Sequence, residues 1–565
     1  MSSSAYDHSS PSSIRSPKST DETALLNGES FHWEPFRAGA PGPLPWLPVR
    51  ILPIVKGDQR IINGWELVRP LIGPVLRDWK IDYRSFTILR RRPYENATFQ
   101  HKFESDITLV VSAKFQFDDS WKNAISEIRA ILRSNDLAEV VVEFIDPCTA
   151  PSKNFLPIME DDPIVSVWEG MRLDVRKALE TCPWTSINVV RKEKMDVSED
   201  KYPVTIVVIV PVDDHRLFVE EYEKLKAICR RYGFRDMEVQ ILHGPGPLWP
   251  GRTVEPILSS DAFVNRLASA LEIPRPDTYS RRVAMGVSMG PRGSADIRNG
   301  SFGGYVELID PKSGKSHGIF GLTCYHVIEP AIPKERQAVY AEQGIDPSDS
   351  LGRSLVLEQP GFKDHSKYMQ TYKDDDVEKE RMKVFWDNHK TLGTVFCGSG
   401  LRRKLGDHIM NWALVAAEKD RIGDNSLPSG PDNWAFESTE HLEARSIFAG
   451  KCLSTVGKLL DEEFVFKKGK ASGCQVGLRT AIKSEVRIPG DRESTEHAFV
   501  GLARSAFGED GDAGSMVFSK SGQWLGLFWG GDPYGSLSGT SFVTDSRCII
   551  EDIERVTGCQ VRLPR

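Results

Sequence analysis

The chain has 565 residues, 72 Lys+Arg against 79 Asp+Glu (formal net charge −7), 40% hydrophobic and 27% charged residues. That length implies about two to four domains with more than one core, and the near-average composition excludes wholesale disorder, collagen-like repeats and coiled-coil rods. The slightly acidic balance gives no general attraction to phosphate backbones or anionic membranes, so a nucleic-acid partner would need a local basic patch.

Residues 1–30 open with MSSSAYDHSSPSSIRSPKST, which lacks the apolar core of a secretory signal and reads as a disordered tail. The longest apolar run, TIVVIVPV, is far short of a membrane span. Nine cysteines, odd in number, thinly spread and never in a C-x-x-C pair, suit reduced thiols rather than a disulfide framework or a zinc site. The expected location is therefore intracellular, cytoplasmic or nuclear, with the sequons at Asn96 and Asn299 unused.

Residues 31–64 are rich in Pro and Gly and read as an extended connector. From 65 to 245 apolar strands alternate with amphipathic helices, which predicts an α/β or α+β domain with helices covering a sheet. Two segments, 106–146 and 202–242, share one order of strand, turn with paired aspartates, helix and strand, so a duplicated ferredoxin-like unit is expected. The first helix carries Trp121, Ile125, Ile128 and Leu132 on one face, and the second carries Phe218, Tyr222, Leu225, Cys229 and Tyr232. A third, Asp162 to Thr181, carries Val167, Met171, Val175 and Leu179 and leads into a strand at Ile187 to Val190. Asp118 with Asp119, and Asp213 with Asp214, stand where helix caps belong; metal ligation is the alternative reading. Arg90, Arg91 and Arg92 read as a solvated strand end.

Residues 246–282 form a linker with a short helix from about Asp261 to Leu271, capped by Ser260. From 283 to 560 short β-type runs separated by Gly and polar turns predict an all-β barrel or sandwich. The charged stretch 374–390 reads as a helical surface insertion, and a last helix, Cys548 to Val556, can dock on the β core through Ile549, Ile553 and Val556. No phosphate-loop, dinucleotide, zinc-hydrolase or EF-hand motif occurs, and no cofactor or metal is expected.

Three segments of this β region, in order, carry the chemistry: Leu322-Thr323-Cys324-Tyr325-His326-Val327, Asn411-Trp412-Ala413-Leu414-Val415 and Gly511-Asp512-Ala513-Gly514-Ser515. Together they resemble the trypsin-like (chymotrypsin-fold) serine proteases, whose segments read T-A-A-H, D-x-A-L and G-D-S-G in that chain order. The Gly303-Gly304-Tyr305-Val306 strand and the KKGKASGCQVG hairpin (467–477) resemble more closely the intracellular trypsin-like-domain proteins of filamentous fungi. The resemblance covers the C-terminal half and implies an all-β double barrel there.

In such a site Ser attacks a carbonyl, His takes its proton, and Asp holds the His tautomer. By this resemblance His326 matches the base, but Asn411 stands at the Asp position and Ala513 at the Ser position. The amide alone costs about 10⁴ in rate, some 5 kcal/mol of barrier, and loss of the nucleophile about 10⁶. Ser515, two residues on, is displaced by roughly 6–7 Å in extended chain, beyond the ~3 Å reach of a nucleophile to its base. Asp407 is likewise too far to replace the missing acid, Asp512 reads as a structural group, and Cys324 as a core cysteine.

The resemblance further implies an oxyanion pocket from the backbone of Gly511, Asp512 and Ala513. It also implies a shallow apolar side-chain pocket floored by Phe507 and bordered by Trp529, Gly530 and Gly531, with a strand edge for an extended peptide. The expected function is that of a pseudoprotease binding a peptide or protein partner, with no nucleic acid or membrane; oligomeric state is open. The alternatives are an active endopeptidase using Ser515 or Cys324, and an interaction scaffold acting through the α/β domain.

Overall fold

A computed structural model describes residues 24–564 apart from 27–28, 35–36, 46–48, 94–105, 117, 147–154, 194–197, 199–200, 212–213, 215, 217, 245–277, 294–298, 430–446, 489–491, 503–505 and 533–538. The expected tail, the 261–271 helix and Asp213 lie outside the described residues. The fold is mostly β with several helices, on sheets of seven, twelve and eight strands and a two-stranded ribbon. Among the described residues no helix is long and apolar enough to cross a membrane.

The N-terminal repeat is longer than strand–helix–strand. Each copy runs helix, two antiparallel strands, helix, strand: Gln59–Asp78, Tyr83–Pro93, Ile107–Ala113, Ser120–Ser134 and Val141–Ile145, then Pro163–Ala178, Ser186–Lys192, Val204–Pro211, Val219–Arg231 and Glu238–Gly244. The leading helix of the first copy begins inside the expected connector and contains Pro70 and Pro74. Two interior prolines cost roughly 6 kcal/mol. Burial of Ile61, Trp65, Val68, Ile72, Val75 and Leu76 at roughly 1.5–3 kcal/mol each outweighs that cost. Connector residues Arg37–Ala40 likewise pair as a strand with Val141–Ile145.

A ferredoxin-like unit would set another strand between the two joined by the second helix. Here Ile107–Ala113 pairs directly and in parallel with Val141–Ile145, and Val204–Pro211 with Glu238–Gly244, so that expectation is corrected. Helix Ser120–Ser134 buries Trp121, Ile125, Ile128 and Leu132. The 163–178 helix buries Met171 and Val175, with Leu179 at its end, as expected, but Ile164 and Trp168 complete the face while Val167 is half-buried. Asp118, Asp119 and Asp214 do not act as side-chain helix caps: Asp118 accepts from Ser120 N at 2.9 Å and Asp119 makes no capping bond. Asp214 pairs with Arg216, and the next helix starts only at Val219.

The second repeat is joined edge to edge with the C-terminal half. Ser186–Lys192 pairs antiparallel with Ser484–Ile488, making one twelve-stranded sheet from Glu238–Gly244 through to the strands that carry 516–532. Buried side chains reinforce the seam: Ser186 Oγ donates to Asp532, Asn188 Nδ2 donates to Asp532 Oδ2 at 3.0 Å, and Ser484 Oγ donates to Asn188 at 2.5 Å.

The eight-stranded sheet contains Gly304–Ile309, Ser316–Thr323, Thr391–Gly398 and Ala413–Ala417. It meets the larger sheet across one core in which Leu322, Trp412, Met516 and Trp524 are fully buried. The charged stretch forms helix Asp376–His389 beside helix Phe362–Thr371. The last helix, Ser546–Thr557, buries Ile549 and Ile553, and its Asp552 accepts from Trp412 Nε1 at 2.9 Å.

Candidate functional site

Strand register brings the first two motifs together. Thr323 lies opposite Ala413 in an antiparallel pair, so the residues beyond, the one-turn helix Tyr325–Ile328 and Asn411, face each other. His326 is 2% exposed. Asn411 Oδ1 accepts from the His326 backbone N–H at 3.1 Å, and this fixes the amide with Nδ2 at 2.8 Å from His326 Nδ1. An NH₂ group can only donate, so Nδ1 accepts and the imidazole proton sits on Nε2. Oδ1 is also 3.2 Å from Nδ1, but a proton on Nδ1 would face the closer Nδ2 hydrogens donor to donor. Burial pushes His326 down to about 4, against a smaller opposite effect of the Asn411 hydrogen bond, so the ring is neutral at pH 7.

The third motif is a tight turn held from inside. Asp512 is fully buried; it accepts from Lys467 Nζ at 2.7 Å, Ser472 Oγ at 2.5 Å and the backbone N–H of Ala471 at 2.9 Å. Burial alone would raise its pKa, but the Lys467 charge and these bonds outweigh it and hold the carboxyl below its usual range. Gly514 has φ +100, and a Cβ there would stand 2.4 Å from Ser301 O and Thr323 Oγ1, so no larger residue fits. Ser301 ties the turn to Gly300–Ser301: its N–H donates to Ala513 O at 2.9 Å and its Oγ to Gly511 O at 3.0 Å.

Where the sheets meet, a small open depression is lined by His326 and Val327 on one side, and by Gly511, Ala513, Phe528, Trp529 and Gly530 on the other. Of the turn's backbone donors, Asp512 N–H is spent on Glu509 O at 3.0 Å. The N–H groups of Gly511 and Ala513 make no hydrogen bond among the described residues, and both residues line the depression.

Phe507 is absent from this lining and fully buried, its ring 6.2 Å from that of Phe528, in a cluster with Phe499 and Val543. The expected side-chain pocket is thus occupied by aromatic core. Gly531 pairs with Ser541 and is also outside the lining. Ser515 Oγ donates to Asp512 O at 2.7 Å, and Cys324 Sγ to Phe528 O at 3.5 Å. Both are fully buried and outside the depression, and burial pushes the Cys324 thiol well above its ordinary range.

No family model and no curated protein matches the chain. Solved structures similar to part of it include Nocardiopsis protease (NAPase), at 13% identity and TM-score 0.27 over 50% of this chain and 98% of that one. Thermobifida fusca Protease A matches at 12% and 0.27 over 50% of this chain and 100% of that one. The MamO protease domain from Magnetospirillum magneticum matches at 10% and 0.21 over 47% and 95%. At these values the likenesses carry no weight for this chain's chemistry.

Several residues of the site escape sequence reading. Exposed Glu509 and Asp510 make its rim acidic; their position just before the Gly511 motif was a usable signal. Asn299 and Gly300 also line it, though nothing in their sequence context marks them. Lys467 lies 45 residues from Asp512, and nothing local links the two. Lys470 pairs with Asp364 at 2.9 Å, fastening helix Phe362–Thr371 to the turn region, while helix 376–389 does not reach the depression.

Proposed function

We propose that this chain is a trypsin-like-fold protein that recognises a peptide or protein partner without cleaving it. In this reading the eight-stranded sheet and the C-terminal part of the twelve-stranded sheet are the two barrels of that fold. The observation that carries it is Ala513, a side chain with no nucleophile, in the wall of a depression shared with His326. The tautomer imposed by Asn411 supports it too, since a ring protonated at Nε2 donates a hydrogen bond and cannot accept a proton there.

Binding chemistry is retained. The N–H groups of Gly511 and Ala513 can receive a backbone carbonyl, with His326 as a further donor. Strand Gln523–Asp532 pairs along one edge with Thr540–Asp545, and the opposite edge near Gly530 suits an extended peptide. The aromatic filling around Phe507 favours small side chains next to Ala513, and the acidic rim favours a partner of positive charge. Ion pairs of Arg90 with Asp58 and of Arg91 with Glu143 argue against a nucleic-acid partner at that arginine run.

The test is binding of the full chain to an immobilised peptide library, with Ala513→Arg as the blocking variant. Capture that Ala513→Arg abolishes is expected, with no cleavage. Cleavage of the library, or labelling by a fluorophosphonate serine reagent, would overturn the non-catalytic reading, and capture unaffected by Ala513→Arg would overturn the site.

A further inference from the structure

A second histidine, away from the depression, faces a carboxylate where His326 faces an amide. His408, on the two-stranded ribbon Lys404–Leu405 and His408–Ile409, is 6% exposed. Its Nδ1 lies 3.2 Å from Glu496 Oε2 and its Nε2 lies 3.4 Å from Lys483 Nζ. Glu496 is fully buried and fixed: Ser494 Oγ donates to Oε1, Ile409 N–H to Oε1 at 3.3 Å, and Thr544 Oγ1 to Oε2 at 3.5 Å.

A carboxylate accepts only, so the His408 proton sits on Nδ1 and Nε2 faces Lys483 as an acceptor. Orienting acid, base and amine therefore stand in sequence, the arrangement that activates a nucleophile. Lys483 is half-buried, so a small reagent can reach it. Positive neighbours press on the same place. His497 stacks on His408 with centroids 5.1 Å apart, and burial first, then Lys483, His408, Arg479 and Arg547, hold it well below the ordinary imidazole range.

We propose that Lys483 is a nucleophilic lysine, activated by His408 and oriented through Glu496, that accepts an acyl group from an acyl phosphate. The ammonium gives one proton to His408 Nε2, and the freed lone pair forms the N–C bond at the acyl carbon. The C–O bond to phosphate breaks with its electron pair. The remaining excess N–H proton leaves with the phosphate as hydrogen phosphate, and His408 returns its proton to water. An amide on Lys483 and inorganic phosphate are the products. The assignment is independent of any peptide bound at the depression.

Acetyl phosphate is the probe, with acetylation of each lysine of the full chain followed by peptide mass spectrometry. Lys483 is expected to acetylate on the order of 100-fold faster than exposed Lys404 and Lys383, the size of one general-base contribution. His408→Gln should bring it down to their rate. Equal rates in the wild-type chain overturn the proposal. Where His408→Gln does not fold, the wild-type ratio of Lys483 to Lys404 is read between about pH 9 and pH 7. It should rise as pH falls, because only Lys483 has a base to take its proton, and a constant ratio overturns the proposal equally.

Discussion

Asn411 Nδ2 stands 2.8 Å from His326 Nδ1 while Asn411 Oδ1 holds the His326 backbone N–H. One amide thereby fixes the position of a buried imidazole and places its proton on Nε2. His408, facing the Glu496 carboxylate, takes the opposite tautomer. Two histidines of one chain are set for donation and for acceptance by a single difference in their partners, amide against acid.

Replacing that amide changes the ring. Asn411→Asp supplies an anionic acceptor at Nδ1 and should raise the His326 pKa from its present value of about 4 by at least one unit. The His326 ring signals in a proton NMR titration check this; an unmoved midpoint would contradict the tautomer assignment.

His326 also makes stability depend on pH. Its native pKa of about 4 lies below the ordinary 6.5, so between those values the unfolded chain binds the extra proton and stability falls as pH falls. The contribution is about 3 kcal/mol, fully present above pH 6.5 and exhausted below pH 4. The stability difference between wild type and His326→Gln, from urea unfolding at a series of pH values, should shrink by about that amount on acidification.

Asp532 at the seam works in the other direction. Burial lifts it from 3.8 to about 6 despite the Ser186 and Asn188 bonds, so the native state holds a proton that the unfolded chain releases. Its contribution is complete below pH 3.8 and lost as pH rises through 6, again about 3 kcal/mol. Wild type should lose that much relative to Asp532→Asn across the interval, read by the same unfolding series.

The pair Lys467–Asp512 is buried at both ends, with both side chains 0% exposed. Lys467→Met leaves Asp512 uncompensated and should destabilise by about 3–5 kcal/mol. Adding Asp512→Asn should restore part of it, since the charge that needed the partner is gone. Urea unfolding of the two variants gives the comparison, and a double variant no more stable than the single one would contradict the pairing.

Chemistry can be put back in two steps. Ala513→Ser alone should react with a fluorophosphonate hardly at all, because Asn411 keeps the wrong tautomer. Ala513→Ser with Asn411→Asp should label faster by up to about 10⁴-fold. Equal labelling of both variants would mean that the 511–514 turn does not present residue 513 to His326.

Much of the β region was legible locally. Runs such as EFVFKK and QWLGLFWGG became strands because β-branched and aromatic residues between Gly turns leave the backbone few other choices, and the helix face Trp121, Ile125, Ile128 and Leu132 followed from period alone. Helix Gln59–Asp78 was not legible, since Pro70 and Pro74 signal a break and only burial against a distant sheet overrides them.

Residue identity alone supplies the groups of the candidate site: His326, an amide at 411, a methyl group at 513, and small residues around it. Their state was set by folding. Long-range register set Asn411 against His326 and so the tautomer, Lys467 found Asp512 from across the sheet, Phe507 filled the expected pocket from the core side, and strand 186–192 joined the N-terminal repeat to 484–488. Residue identity is local, whereas protonation, donor direction and cavity depend on desolvation and on partners that the chain brings together only when folded.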